Sequence, residues 1–285
     1  MIAALHISTG RLCVLGAIAG LTIFLGLPLG RLSRPAPRLR TGLNAVAIGI
    51  LLFLLFDVLS HANEPVERSL NEAVSGAASW WRFAGLASVF AVGVGLGLVG
   101  LGYYERWIEH RPRRFGPGAS HVDELAHATV AEWSAAKRLA MLIAVGIGLH
   151  NFSEGLAIGQ SAAKGEIGLA LLLIIGFGLH NATEGFAIVA PMAAAGERPS
   201  WAFLGAAGLI GGGPTFLGTV IGRSFVSDTM FLAFLALAAG SILYVIVQLL
   251  KVAARQGFPD IVMWGILLGL VLGFATDYVL VAAGA

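Results

Sequence analysis

Charge is scarce in this chain. Only 12% of its 285 residues are Asp, Glu, Lys or Arg, against 57% hydrophobic, and a mean hydropathy of +0.85 excludes an ordinary water-soluble globule. Cysteine is almost missing too. Cys13 has no partner for an internal disulfide, and inert packing in the first apolar stretch is the expectation for it. The 39 glycines follow no short period, which excludes a collagen-like or low-complexity chain. There is no nucleotide-cradling loop, no helical His-Glu-x-x-His phrase and no Gly-x-Ser-x-Gly elbow. No basic leader precedes the first apolar stretch, which is also too long for a signal core, so it is expected to be retained as a span.

What the chain does have is apolar runs of membrane length. Eight of them, at about 12–29, 43–61, 84–104, 139–162, 167–190, 201–221, 230–250 and 261–282, predict an all-α integral membrane protein with eight transmembrane helices in one domain. Abundant glycine suits helices that approach closely in lipid. Thirteen of the 18 Lys and Arg residues fall in loops after odd-numbered spans. The positive-inside rule then makes the polar segment 105–137 cytoplasmic and puts both termini outside. Trp80, Trp81, Tyr103, Tyr104 and Trp107 mark interfacial belts. The short turn at Lys164-Gly165-Glu166 makes the fourth and fifth spans antiparallel neighbours. Gly211-Gly212-Gly213-Pro214 predicts a break or kink in the sixth.

Those two neighbouring spans carry near-copies of one phrase. Gly148-Leu149-His150-Asn151-Phe152-Ser153-Glu154-Gly155 returns as Gly178-Leu179-His180-Asn181-Ala182-Thr183-Glu184-Gly185. In each copy the His and the Glu are four apart, one helical turn above each other on one face. Ionisable groups at mid-membrane are costly and read as functional. In an antiparallel pair, a pseudo-two-fold axis in the membrane plane brings His150 toward Glu184 and His180 toward Glu154. Two imidazoles and two carboxylates make a ligand set for a divalent transition metal, with the amide oxygens of Asn151 and Asn181 at its edge. Nitrogen and oxygen donors without thiolate suit Zn, Fe, Mn, Co or Cd better than Ca or Mg. The residues alone leave other readings open: structural His-Glu bonds between packed helices, an intramembrane zinc hydrolase that activates water on the same ligands, or a metal-independent proton or anion pathway.

Secondary candidates lie away from this centre. Asp57 and His61, again four apart, with Asp277 and the nearby Glu64 and Glu67, could form an outer vestibule that concentrates cations on an access route. Interfacial groups reaching water are the alternative. In the long polar loop, His110, His121, Asp123, Glu124 and His127 could bind or sense metal, against a plain solvated helix.

The paired phrases resemble the fourth and fifth spans of the ZIP (Zrt- and Irt-like protein) family of divalent metal transporters, in its bacterial type, whose fourth span typically reads His-Asn-x-Pro-Glu-Gly. Eight spans, outside termini and a long loop after the third match as well. The resemblance implies a fold with an inverted 3+2+3 repeat and a transport site at His150, Asn151, Glu154, His180, Asn181 and Glu184. It implies no enzyme but uptake of a divalent metal into the cytoplasm, zinc foremost, with iron, manganese, cobalt or cadmium as further substrates. The expected setting is a bacterial inner or plasma membrane, with metal ions and lipid as partners, no nucleic acid, and a chain that could pair as a homodimer. Three departures stand out. Ser153 and Thr183 replace the usual proline; Gly213 stands before Pro214 where many members place an acidic ligand, so one principal ion is expected; and the seventh span offers only Gln248 in place of a His-Glu pair.

Overall fold

With no water in the hydrocarbon, a spanning backbone must satisfy its own N–H and C=O groups. Every secondary-structure element among the described residues is accordingly helical. The computed structural model describes residues 8–31, 37–109, 133–163, 165, 167–224 and 227–282. Among the described residues, eight helices are long and apolar enough to cross a membrane. They are α1 (Thr9–Arg31), α2 (Pro37–Val74), α3 (Trp80–Trp107) and α4 (Ala135–Ala163), then α5 (Ile167–Ala194), α6 (Trp201–Ser224), α7 (Asp228–Ala254) and α8 (Pro259–Ala282). Most of the 105–137 loop, with all of its histidines, lies outside the described residues.

Close backbone approach decides which helices share a packing unit. A Cβ at Gly155 would overlap the carbonyl oxygen of Thr215 on α6, and one at Gly218 would overlap that of Phe152 on α4. Gly185 meets Ile23 of α1 in the same way, and Gly20 of α1 meets Gly212 of α6. Together α1, α4, α5 and α6 form one glycine-seamed group, the arrangement small residues permit in lipid. Elsewhere Gly49 seats α2 against Gly269 of α8, and Gly97 seats α3 against Gly240 of α7. Gly97 lies in a π-helical turn, Leu96–Gly100, that interrupts α3.

Two expectations need correction. The second span does not end at about 61, because α2 continues helical to Val74, through Glu64, Glu67 and Glu72. Ala62, Val66, Ser69 and Ala73 stay buried, which continues its core-facing stripe. Its exposed face is braced by Arg68–Glu64 at 2.6 Å and Asn63–Glu67 at 2.7 Å, both at i, i+4 spacing. Nor does Gly211-Gly212-Gly213-Pro214 break α6, which is helical from Trp201 to Ser224. There the glycines serve packing: Gly212 abuts Gly20, and Gly211 abuts Ile23 and Ile188.

Adjacent glycines in α6 should therefore respond oppositely to substitution. A Cβ at Gly212 would overlap the Gly20 backbone, whereas one at Gly213 meets nothing within 4 Å. Gly212→Val should cost about 1–3 kcal/mol, read as a lower thermal midpoint in detergent. Gly213→Ala should be neutral or gain about 0.5–1 kcal/mol from helix propensity.

Candidate metal centre

The repeated phrase divides its residues between two faces of each helix. Gly148, Asn151 and Gly155 fall at i, i+3 and i+7 and share one face, whereas His150 and Glu154 share the next. On α4 the first face docks on α6. Gly148 approaches the carbonyl of Ile210, Asn151 Nδ2 donates to Gly211 O at 2.9 Å, and Gly155 approaches the carbonyl of Thr215. On α5 the equivalent face docks on α1. Gly178 lies against Thr22, Asn181 Nδ2 donates to Ala19 O at 3.1 Å, and Gly185 approaches the carbonyl of Ile23. The helical run of α1 is interrupted at Thr22, whose hydroxyl also donates to Ala19 O. Helices α6 and α1 thus meet the two site helices through matching residues, as an inverted repeat requires.

With that face fixed, the other face turns inward. His180 Nε2 donates to Glu154 Oε1 at 2.5 Å, and His150 Nε2 lies 3.0 Å from the same oxygen. The second contact has the length of an ion pair without the alignment of a hydrogen bond, since His150 Nε2 has no hydrogen-bond partner. The two imidazole centroids are 6.1 Å apart. One donor atom from each of His150, His180 and Glu184 falls within 4.8 Å of the others. Side-chain exposure is only 2% at His150 and 4% at Glu154, against 13% at His180.

Buried polar atoms without a protein partner concentrate here. Seven of the eleven among the described residues belong to these side chains: His150 Nδ1 and Nε2, Asn151 Oδ1, Glu154 Oε2, Asn181 Oδ1, and both Glu184 oxygens. A buried carboxylate with neither oxygen bonded is costly unless something outside the protein satisfies it. The two asparagines are oriented unambiguously, because a backbone carbonyl can only receive their N–H. That leaves each amide oxygen free as an acceptor. Two imidazole nitrogens and a carboxylate oxygen this close together in a buried setting can hold a divalent cation of borderline softness.

A cavity of about 550 Å³ reaches this cluster from one side. His150, Glu154 and His180 line its inner end, and Asp57, His61 and Asp277 line the same cavity. His61 Nδ1 donates to the Asp57 carbonyl at 2.9 Å and sits 3.4 Å from its carboxylate. Glu64 and Glu67 do not join them; they line a separate surface hollow with Arg68 and Glu72. Glu184 and both asparagines are absent from the cavity wall. Gln248 stands apart as well, donating through Nε2 to Glu105 at 2.8 Å. Ser153 and Thr183, unnoticed as polar linkers in the sequence, use their hydroxyls on backbone: Ser153 on Leu149 and on Phe234 of α7, Thr183 on His180.

Eight helices around a cluster of imidazoles and carboxylates, with a cavity leading to it, define a membrane protein that handles ions. The family model described as ZIP Zinc transporter matches residues 109–276. The chain belongs to the ZIP zinc transporter family, and its activity is transport of divalent metal ions. No curated protein matches it.

The asparagine bonds carry a stability prediction. Asn151→Ala or Asn181→Ala should each lower the stability of chelator-treated protein by about 0.6–2 kcal/mol, the range for interhelical polar contacts in membranes, measured by thermal unfolding in detergent.

Proposed function

We propose that the chain moves a divalent transition metal, zinc foremost, into the cytoplasm, and that His150, Asn151, Glu154, His180, Asn181 and Glu184 hold the ion in transit. The observation that carries this reading is the Glu184 carboxylate, buried with both oxygens unpartnered beside two imidazoles that lie within 4.8 Å of it. Two carboxylates balance the charge of one divalent cation, and the neutral imidazoles complete a nitrogen and oxygen shell that also suits iron, manganese, cobalt or cadmium. Metal competes there with protons for the same groups.

Asp57, His61 and Asp277 supply the access route. They bring two carboxylates into the cavity that ends at His150, Glu154 and His180, a local negative field that enriches cations. The excess of basic residues after odd-numbered spans supports cytoplasmic placement of that end of the bundle and of segment 105–137, with both termini extracytoplasmic. The cavity then opens to the outside. Below the site, Ile147, Ile188 and Leu51 are at most 1% exposed, so delivery requires the site helices to shift against their neighbours, as in alternating access. Gly213 puts no carboxylate before Pro214, which supports one principal ion.

Uptake into proteoliposomes across a panel of divalent ions tests the site. Glu154→Ala and His180→Ala should each lose uptake by roughly tenfold or more, since even outer-shell partners of a metal are worth 10- to 100-fold. Full rate in both variants rejects these ligands. A chelator outside the vesicles should abolish transport; flux that persists would favour a metal-independent proton or anion pathway.

A further inference from the structure

The end of the bundle remote from the cavity is tied together by arginines that serve no purpose at the ion site. Arg40, near the start of α2, donates through Nη1 to Ala193 O at 2.8 Å. Ala193 lies in the last turn of α5, and its carbonyl also accepts from Gly196 N at 3.2 Å. Arg31, at the end of α1, donates to Pro199 O in the α5–α6 connection, and its guanidinium stacks over Trp201 at 4.6 Å. Ser134, preceding α4, donates to Glu197 of the same connection at 2.6 Å. Charge-assisted bonds of the guanidiniums are the stronger members of this set, and Arg40 also faces a helix end that carries partial negative charge.

The two arginines differ in what they join. Arg31 ties α1 to α5 and α6, which the glycine seams already unite. Arg40 ties α2, seated on α8 through Gly49, to the end of α5, the helix that carries His180 and Glu184. That bond crosses between the packing groups. Its guanidinium is also incompletely satisfied, because the Arg40 Nε is buried without a partner. A strong bond at one atom and an unmet donor at the next describe a contact made in one arrangement of the helices and free to be exchanged in another.

We infer that Arg40 is a positioning residue for transport: its bond to the α5 carboxyl end latches the far side of the bundle shut while the cavity on the Asp57 side is open. This rests on the transport reading, in which α5 shifts against α2. Ala190, between the ion site and the latch, is 3% exposed, whereas Ala157 lines the open cavity. Breaking the latch should open the path to Ala190 and leave the path to Ala157 no wider.

Single reporter cysteines, Ala190→Cys or Ala157→Cys in a Cys13→Ser background, can be labelled with a hydrophilic maleimide in the purified full chain. Arg40→Gln should raise the labelling rate at 190 by roughly tenfold, the population shift expected from losing one charge-assisted hydrogen bond, with labelling at 157 unchanged or slower. Arg40→Lys, which keeps a charged donor, should raise it less, and Arg31→Gln, within one packing group, should raise it little. No rise at 190 in Arg40→Gln overturns the latch, and so does an equal rise at both positions, which would report a loosened fold. Divalent metal uptake by the Cys13→Ser parent separates the two ideas: its absence counts against the transport reading, whereas uptake with unchanged labelling in Arg40→Gln counts against the latch alone.

Discussion

Two carboxylates and two imidazoles held in the middle of a bilayer set the constraint under which the rest of this fold is arranged. Such groups are tolerated only where the protein, an ion or water compensates them. Here the compensation within the protein is partial. Glu154 receives His180 and faces His150, but Glu184 has no hydrogen bond on either oxygen. A site left wanting a cation can bind one, and a site with no excess of fixed ligands can let it go.

Holding that cluster together requires α4 and α5 to be anchored from behind, and the repeated phrase contains the anchors as well as the ionisable groups. Its glycines and asparagine dock on backbone, α6 for the first copy and α1 for the second. Asparagine suits the role because it donates to a neighbouring carbonyl, and its amide oxygen is left without a protein partner. Glycine suits it because the carbonyls it meets leave no room for a Cβ. The spacing of the phrase, with docking residues at positions one, four and eight and ionisable residues at three and seven, follows from two adjacent faces of a 3.6-residue helix.

Much of this is legible in the sequence, for physical reasons. Eight apolar runs announce eight helices because a bilayer imposes length and hydropathy on each one. The pairing of His with Glu four residues on is legible because helical periodicity is local. What escapes is whatever depends on contacts between distant segments. The glycines and proline of 211–214 look like a helix break, but Gly211 and Gly212 pack on Ile23 and Gly20 of α1, nearly two hundred residues away. Glu64 and Glu67 look like vestibule carboxylates because they follow an apolar run closely, whereas α2 continues beyond it and spends them on pairs with Arg68 and Asn63. Arg31 and Arg40 read as simple markers of topology. Their bonds to Pro199 and Ala193 leave no local pattern, since each acceptor is a backbone carbonyl.

Anomalous diffraction from crystals of the zinc-loaded protein, recorded on both sides of the zinc edge, tests the central claim most directly. The expected result is a single strong peak among His150, His180, Glu154 and Glu184, at about 2.0–2.2 Å from their donor atoms. A metal-loaded protein whose only zinc peaks lie elsewhere, with these four side chains paired to one another, would contradict it.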